Sequence, residues 1–326
     1  MQSMLTQRNS GVDLARTLAI FGVVLVHTTG IGFGRFGVQL FFLISGYLLA
    51  DFQKYESASS FLFRRAARLF PLYVLVLFYF SFTKSISIDF FNVFLFANIY
   101  WNFPQVPGGW SISSEWLFSL FLVVLGWQTR LKIWFWIVLS IVAQVISGLY
   151  VYSLGGADSV ENSSSYVFLT WLNTTNPLIN ISFFMIGIAV KREFVPLLTS
   201  KLQLIALSLI CVCVDLAIGH AMVIWNLGIY SIFLLCLTSE IGDSSKRIVS
   251  FIGKRTYGIF FSHFILLEPV SNLVSNHFET ISFVRNFCFF ILVFAISVFC
   301  GWITWGIVES PCLKVSKILH AKLRIN

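Results

Sequence analysis

The chain has 326 residues, of which 57% are hydrophobic and 11% are charged, and its mean hydropathy is +0.85. Soluble domains average roughly half apolar and one quarter charged residues, so no soluble core would absorb this composition. The net charge of +8 does not indicate a nucleic-acid-binding protein, because the basic residues lie between apolar segments and not on one face of a folded domain. The composition therefore predicts an integral membrane protein in contact with the lipid bilayer, with no nucleic-acid partner.

Apolar segments recur along almost the whole chain. A helix needs about 20 apolar residues to cross the hydrocarbon of a bilayer, and the chain offers ten segments near that length. The ten predicted spans are 14-33, 36-50, 70-83, 111-128, 133-152, 166-190, 202-219, 221-239, 256-274 and 286-308. Segment 90-103 is also apolar, but an eleventh span there would invert every later loop, so we interpret it as re-entrant or interfacial. The predicted fold is all-α, a polytopic helical membrane bundle, with residues 1-326 forming a single membrane-embedded domain.

Charge predicts how the bundle is oriented. With ten spans and the amino terminus inside, 19 of the 22 Lys and Arg residues fall on the cytoplasmic side, and only Arg35, Lys84 and Arg285 fall outside. Basic residues are enriched in cytoplasmic loops of membrane proteins. We therefore expect a multi-pass protein of the inner (plasma) membrane with both termini in the cytoplasm.

The first span carries the strongest candidate site. Ionisable groups inside hydrocarbon are costly and point to function, and this span contains Arg16 and His27. Eleven positions on a helix amount to three turns plus roughly 20°, so the two side chains share a face about 16 Å apart along the axis. A donor with an anionic head and a reactive tip, such as acyl-CoA, would fit that spacing, with Arg16 at the head. The alternative is a histidine that only packs, but a neutral imidazole is well suited to take a proton from a hydroxyl.

Three arginines precede the third span. Arg64, Arg65 and Arg68 lie in the sequence Phe63 to Tyr73, and positions 64 and 68 share a face if this segment is helical. Guanidinium groups bind phosphate in bidentate fashion. The segment is a candidate binding site for donor phosphates, and the alternatives are a topology signal or contact with lipid headgroups.

A Gly- and Ser-rich segment opens the fourth span. Gly108 and Gly109 precede Trp110 and Ser111, and Glu115 follows at the start of an apolar run. The serines are expected to cap the helix, and first-turn charge would account for Glu115. The alternative gives Glu115 a catalytic role, in which its carboxylate orients His27 or an acceptor hydroxyl.

A second intramembrane histidine, His263, lies in the ninth span, and packing or support of the site would explain it equally well. The six cysteines lack metal-ligand spacing, so no metal site is predicted. Four other ionisable residues receive no role: Asp215, His220, His277 and His320.

Taken together in their order and spacing, these pieces resemble a known family, the membrane acyltransferases called acyltransferase family 3. The resemblance runs from Asp13 to about Lys314. The pieces that carry it are Asp13 to Arg16, His27, Gly37, Phe41, Phe42, Ser45 to Leu48, Arg64, Arg65, Arg68, Pro71, Tyr73, Trp110, Ser111, Glu115, Gly253 to Tyr257, His263 and Glu309 to Pro311.

The resemblance implies O-acylation of O-antigen, lipopolysaccharide or exopolysaccharide sugars. It implies acetyl-CoA or another acyl-CoA as donor substrate, a carbohydrate hydroxyl as acceptor and no bound cofactor, with Arg16 and His27 as the essential pair. Residues expected to contact the acceptor or support the site are Asp13, Tyr73, Trp110, Ser111 and His263. The alternative from another class is a transporter or flippase for lipid-linked sugars, but we find neither repeated halves nor paired broken helices in the sequence. A purely structural subunit leaves the shared face of Arg16 and His27 unexplained.

Overall fold

A computed structural model describes residues 9–30, 36–52, 57–85, 88, 106–126, 129–153, 175–194, 200–218, 222–275 and 282–323. These residues form helices joined by turns and short connections. The helices are α1 (Ser10–Thr29), α2 (Phe36–Leu49), α3 (Ala58–Lys84), α4 (Gly109–Leu125), α5 (Arg130–Ser153), α6 (Pro177–Lys191), α7 (Lys201–Ile218), α8 (Met222–Thr238), α9 (Asp243–Ser275), α10 (Ser282–Thr304) and α11 (Ser310–Leu323). A π-helical turn, Trp305–Glu309, joins α10 to α11.

The all-α membrane bundle is confirmed. Each of the ten predicted spans overlaps one of the helices α1 to α10. Among the described residues, five segments are long and apolar enough to cross a membrane: Ser10–Thr29, Ala58–Lys84, Arg130–Tyr150, Asp243–Ser275 and Val284–Leu319. The remaining five spans contain shorter apolar helices of 10–17 residues. The predicted interfacial segment 90-103 lies outside the described residues.

Helices α3 and α9 begin well before the spans predicted at 70-83 and 256-274. Ser57 caps α3 by accepting a hydrogen bond from the backbone N–H of Ser60, at 3.4 Å. Ala, Leu and Arg are good helix formers, so the helix starts at Ala58 and includes the three arginines. The segment that carries the three arginines, which the prediction places before the third span, is therefore helical.

Signals at both ends of α1 fix its length. The Asn9 side chain accepts hydrogen bonds from the backbone N–H groups of Gly11 and Val12, at 2.9 and 3.3 Å, which satisfies donors that the first turn leaves unpaired. Gly30 ends the helix with φ +70°, a left-handed conformation that suits glycine at a helix terminus. Arg16 and His27 therefore lie on one uninterrupted helix.

The described residues fall into two compact units. The first draws on Met1–Ile44, Pro196–His220 and Ile224–Gly301, and the second on Ser45–Val195, Ala221–Val223 and Trp302–Asn326. The first unit thus contains α1, most of α2, α7, most of α8, α9 and nearly all of α10. The second contains α3 to α6, α11 and the end of α2. The prediction of one membrane domain stays a prediction.

In the first unit, α1 packs against α9 and α10. A cluster of buried side chains joins the three helices: Val24, Val270, Val274, Phe290 and Val293. Phe21 packs edge-on against Phe290, with ring centroids 5.0 Å apart. This packing fixes the face of α1 that carries His27.

In the second unit, α5 and α6 are joined by polar side chains. Ser140 Oγ and Gln144 Nε2 both donate to the backbone carbonyl of Ile179, each at 2.8 Å, and Gln144 Nε2 also donates to Ser182 Oγ, at 3.2 Å. Lipid offers no hydrogen-bond partners, so polar side chains within a membrane bond across helices. These polar side chains need no catalytic explanation.

Gly46 provides a test of the packing between α2 and α6 in the second unit. A Cβ added at Gly46 would collide with the backbone carbonyl of Phe184 on α6. We expect Gly46→Ala to lower the free energy of unfolding by about 1–3 kcal/mol, because backbone atoms cannot move away cheaply. The measurement is thermal unfolding in detergent micelles.

The matched control is Gly148→Ala, because a Cβ at Gly148 on α5 meets no atom within 4 Å. Alanine is favoured over glycine within a helix by about 1 kcal/mol, so this variant should be at least as stable as the wild type. Equal unfolding temperatures for the two variants would contradict the close approach at Gly46.

Candidate active site

Helix α1 carries three of the predicted site residues in the first unit. Asp13 is buried, with 2% of its side chain exposed, and its Oδ1 lies 3.9 Å from Nη1 of Arg16 one turn later. The Arg16 side chain is 15% exposed, whereas His27 is exposed. The expected polar face therefore runs from the mostly buried side chain of Arg16 to the accessible side chain of His27.

Helix α9 crosses α1 closely beside Asp13. A Cβ added at Gly253 would lie 3.0 Å from the carbonyl oxygen of Asp13 and 3.1 Å from its Cβ. The Thr17 hydroxyl donates to the carbonyl of Val249 on α9, at 3.2 Å. Because glycine has no side chain, α9 can approach α1 this closely at Gly253. The close approach explains the glycine at the start of the segment Gly253 to Tyr257. Asp13 is therefore part of a helix crossing.

Further along α9, His263 lies against His27. Their ring centroids are 5.3 Å apart with the planes at 35°. Phe264 meets His27 edge-on, at 4.8 Å. His263 is fully buried, whereas His27 is exposed. The two intramembrane histidines thus lie in contact, although the spacing of residues within either helix did not predict this pair.

In the second unit, Arg65 and Glu115 form a buried ion pair. Nη2 of Arg65 donates to Oε1 of Glu115 in a short contact, and their side chains are 10% and 17% exposed. Ser45 Oγ donates to the same carboxylate oxygen, at 2.8 Å, and Arg65 Nε donates to Ser119 Oγ, at 3.2 Å. The Glu115 carboxylate is thus held by a charged and a neutral donor. Its predicted role in orienting His27 or an acceptor hydroxyl stays a prediction.

A charge in the first turn of α4 does not explain Glu115, because Glu115 lies beyond that turn. Gly108, with φ +73°, is the residue that precedes α4, it supplies no side-chain cap, and the first turn contains no acid. Ser111 lies inside the helix and its hydroxyl donates back to the carbonyl of Gly108, at 2.8 Å. The prediction that the serines cap this helix is wrong, because the glycine turn lets the helix begin before them.

The three arginines of α3 have different surroundings. Arg64 is exposed, Arg65 is buried and Arg68 is half-buried. Arg68 also acts electrostatically on the Glu115 carboxylate. The sequence spacing placed Arg64 and Arg68 on one helix face. In the structure, Arg65 forms the ion pair with Glu115. Arg64 is the arginine of the three that is most open to a ligand.

A buried stripe explains which arginine turns inward. Positions spaced by three and four residues share a helix face, and the buried residues of α3 follow that spacing: Phe61, Arg65, Leu69, Leu72, Val76 and Phe80. Arg65 occupies one position of this apolar stripe. That pattern was available in the sequence, but its acidic partner fifty residues later was not.

Tyr73 on α3 lies against Gly109, the residue that precedes Trp110 and Ser111 on α4. Tyr73 is 1% exposed, and a Cβ added at Gly109 would lie 2.7 Å from the Tyr73 hydroxyl. Trp110 is half-buried and Ser111 is buried. The tyrosine and the glycine turn are therefore packed together, and the Ser111 hydroxyl is already used by the backbone.

Two contacts near the ends of α2 and α6 were not expected from the sequence. Arg192 Nη2 donates to the carbonyl of Ala50 in a short contact, and its Nε lies 3.9 Å from Oδ1 of Asp51. Lys191 lies over the ring of Tyr47, with Nζ 5.1 Å from the centroid. Burial lowers the pKa of Arg192, and the charge of Asp51 opposes that shift. These contacts cap the carboxyl end of α2 and need no ligand.

Within the described ranges, no group of three or more His, Cys, Asp or Glu residues could hold a metal ion. His220 and His277 lie outside those ranges, and the side chains of Asp215 and His320 are likewise not described. The absence of a bound cofactor stays a prediction.

Comparison with known proteins identifies one family. The family model described as an acyltransferase domain matches residues 9–306, nearly the whole chain. The match spans the helices that carry Arg16, His27, Arg65, Glu115 and His263. No curated protein and no solved structure is significantly similar to the chain.

Proposed function

We propose that this chain, which belongs to the acyltransferase domain family, is an O-acyltransferase that uses acyl-CoA to acylate a cell-surface or exported polysaccharide sugar. The family and the apolar helices make it a membrane acyltransferase. The donor, the acetyl group and the sugar acceptor are the proposed part. So is the location in the inner (plasma) membrane with both termini in the cytoplasm, which the distribution of basic residues supports.

The observation that carries the proposal is the shared face of α1. Arg16 and His27 lie on one continuous helix, about 16 Å apart along its axis, and neither side chain is fully buried. Acyl-CoA carries its phosphates at one end and its thioester at the tip of a long thin arm. A guanidinium at the head and an imidazole at the tip match that arrangement.

In the proposed reaction, His27 takes the proton of the acceptor hydroxyl while the hydroxyl oxygen attacks the thioester carbonyl. The carbon–sulfur bond breaks, the CoA sulfur leaves as a thiol after protonation, and an ester forms on the sugar. In the second route, the imidazole first accepts the acyl group from CoA and then passes it to the hydroxyl. Both routes need the same imidazole in its neutral form.

The arginines of α3 are proposed separately to bind donor phosphates. Arg64 is exposed and Arg68 half-buried, so these two are better placed to meet phosphates than Arg65, whose guanidinium binds Glu115 and Ser119. Arg65 was also predicted to bind donor phosphates. We propose instead that it supports this site by holding its stretch of α3 against α4.

The test of the function is transfer of labelled acyl groups in isolated membranes. Membranes that contain the protein and membranes that lack it are incubated with labelled acetyl-CoA, succinyl-CoA and a longer acyl-CoA, and alkali-labile label is measured in purified glycans. Protein-dependent label in glycans supports the proposal and identifies the acyl group. No protein-dependent label with any donor would contradict it and favour transport of lipid-linked sugars.

Arg16→Ala should impair use of the donor. A hydrogen bond to a charged group contributes about 1.5–3 kcal/mol, so we expect KM for acyl-CoA to rise by about tenfold to hundredfold. The value of kcat at saturating donor should change less. The measurement is the initial rate as a function of acyl-CoA concentration.

Two controls belong with Arg16→Ala. Arg16→Lys keeps the charge but loses the fork geometry, so its KM should lie between those of the wild type and Arg16→Ala. Leu18→Ala truncates an exposed side chain on the same helix and should leave KM unchanged. An unchanged KM in Arg16→Ala would contradict the proposed donor role.

A further inference from the structure

His263 is a buried polar side chain that the proposed mechanism does not use. It lies in the membrane-spanning part of α9 and is fully inaccessible. In the part of the chain that the structure describes, neither Nδ1 nor Nε2 makes a hydrogen bond of normal geometry, although the backbone carbonyls of Ile259 and Phe260, one turn earlier, interact with the ring. Buried polar groups are almost always paired, because an unpaired one loses its water without compensation. An imidazole in this position therefore requires an explanation.

Apart from these backbone carbonyls, the aromatic surroundings of His263 offer one candidate side-chain partner. Three aromatic rings contact it: Phe264, with centroids 3.9 Å apart, Phe260, at 5.8 Å, and His27, at 5.3 Å. Of these rings, only that of His27 carries hydrogen-bonding atoms. The nitrogens lie at the perimeter of an imidazole, so at this centroid separation one nitrogen of each ring would lie at about 3 Å, a hydrogen-bonding distance, if the two nitrogens pointed at each other.

We propose that His263 is a positioning residue that hydrogen-bonds His27 during acyl transfer and fixes the tautomer and orientation of its ring. A neutral imidazole has one donor and one acceptor nitrogen. When the acceptor nitrogen of His263 takes the N–H of His27, the other nitrogen of His27 keeps its lone pair for the acceptor hydroxyl or the acyl group. Catalytic histidines are commonly oriented in this way by a third group.

A neutral orienting residue suits this location. A carboxylate within the membrane is costly unless paired, and the Glu115 carboxylate already accepts from Arg65 and Ser45. A neutral histidine provides an acceptor without adding a charge. His263 belongs to the same compact unit as His27, and the packing of α1 on α9 brings their rings together. The inference about catalysis rests on the proposed function, whereas the ring contact does not.

The first experiment compares three substitutions at position 263 in the full-length protein. Leucine and asparagine have nearly the same shape, so His263→Leu and His263→Asn differ mainly in hydrogen bonding. Glutamine places its amide near the position of Nε2, and asparagine places its amide near that of Nδ1. Initial rates of acyl transfer give kcat and KM for each variant.

We expect His263→Leu to lower kcat by about tenfold to hundredfold, the effect of one lost hydrogen bond to a reacting group, with KM for acyl-CoA within about twofold of the wild type. One of the two amide variants should recover most of the loss, and its identity shows which nitrogen acts. A residue that only fills space would be replaced best by leucine. Equal kcat in the leucine and amide variants would therefore overturn the inference.

Two control variants separate hydrogen bonding from packing. Phe264→Leu removes the other ring that contacts His27, but it removes no polar atom. Ser262→Ala removes a buried hydroxyl that donates to the carbonyl of Gly258, at 2.7 Å, and that also interacts with Cys300 but with neither histidine ring. Both should retain kcat within about threefold of the wild type. A loss in Phe264→Leu as large as that in His263→Leu would show that ring packing alone orients His27, against the inference.

A second readout needs no acyl transfer. Diethyl pyrocarbonate carbethoxylates neutral imidazoles, and peptide mass spectrometry follows its reaction at the exposed His27. We expect the rate at His27 to fall several-fold in His263→Leu and to recover in the active amide variant. If the wild type transfers no acyl group but this pattern holds, the proposed function fails and the positioning contact stands. If the wild type transfers acyl groups, and His263→Leu changes neither kcat nor the reaction rate of His27 with diethyl pyrocarbonate, the positioning role of His263 is wrong while the proposed function stands.

Discussion

His27→Ala should reduce acyl transfer by about 10²- to 10⁴-fold, the range for loss of a positioned general acid–base group. The substitution removes the accessible imidazole at the end of α1 and leaves the neighbouring helix contacts, such as those of Val24, in place. The measurement is the rate of label transfer from the acyl-CoA that the wild type prefers, at matched protein level. Activity within about threefold of the wild type would contradict a catalytic role for His27.

Thr29→Ala is the matched control for His27→Ala. Thr29 lies two residues further along α1, and its hydroxyl donates to the carbonyl of Leu25, at 2.7 Å. Removal of that hydroxyl should leave transfer within about twofold of the wild type. A parallel loss in both variants would indicate damage to the end of the helix instead of lost chemistry.

His27 also separates the two chemical routes. If the imidazole carries the acyl group, rapid mixing of protein and labelled acyl-CoA without an acceptor should leave label on the peptide that contains His27. If it acts as a general base, label should appear only in glycans. The acyl-imidazole must form from neutral His27, with the CoA thiol released in equal amount.

Arg65→Met should destabilise the second unit strongly. Removal of one partner from a buried ion pair leaves an uncompensated charge and costs about 3–5 kcal/mol. The Glu115 carboxylate accepts from Arg65 and Ser45, and in this variant only the hydrogen bond from Ser45 would remain of these two. The measurement is thermal unfolding in detergent micelles together with the yield of folded protein.

A double variant makes this prediction specific. Arg65→Met combined with Glu115→Leu removes both charges and should be more stable than Arg65→Met alone, because apolar replacement of a whole buried pair is often neutral. Arg64→Ala removes an exposed charge one position away and should shift stability by no more than about 0.5 kcal/mol. A double variant as unstable as the sum of the two single variants would contradict a direct pair.

The sequence predicts the helices of this protein better than their contacts. Apolar length and charge located ten helical segments, and helix periodicity placed Arg16 and His27 on one face, because both follow from local geometry. The ends of α3 and α9 were placed too late, since hydropathy marks the edge of the apolar run, whereas a helix continues through residues such as Arg and Ala that favour it.

The site contacts depend on distant parts of the chain. That His263 meets His27 follows from the crossing of α1 and α9 at Gly253, and no spacing within either helix specifies it. The choice of Arg65 over Arg64 and Arg68 was partly readable from the buried stripe of α3. Its pairing with Glu115 was not, because an acid and a base fifty residues apart have many possible partners.

The Arg65–Glu115 pair also bears on how the protein is made. A ribosome delivers Arg65 to the membrane while Glu115, fifty residues later, is still unsynthesised or inside the ribosome, so at that moment the guanidinium has not yet met its carboxylate. An unpaired arginine near the end of an inserting helix is disfavoured where it enters the bilayer, whereas insertion of α3 together with α4 avoids that state. Helices α3 and α4 should therefore enter the bilayer as a pair. A nascent chain truncated before Glu115 should leave α3 accessible to aqueous probes, and one that extends past α4 should protect it.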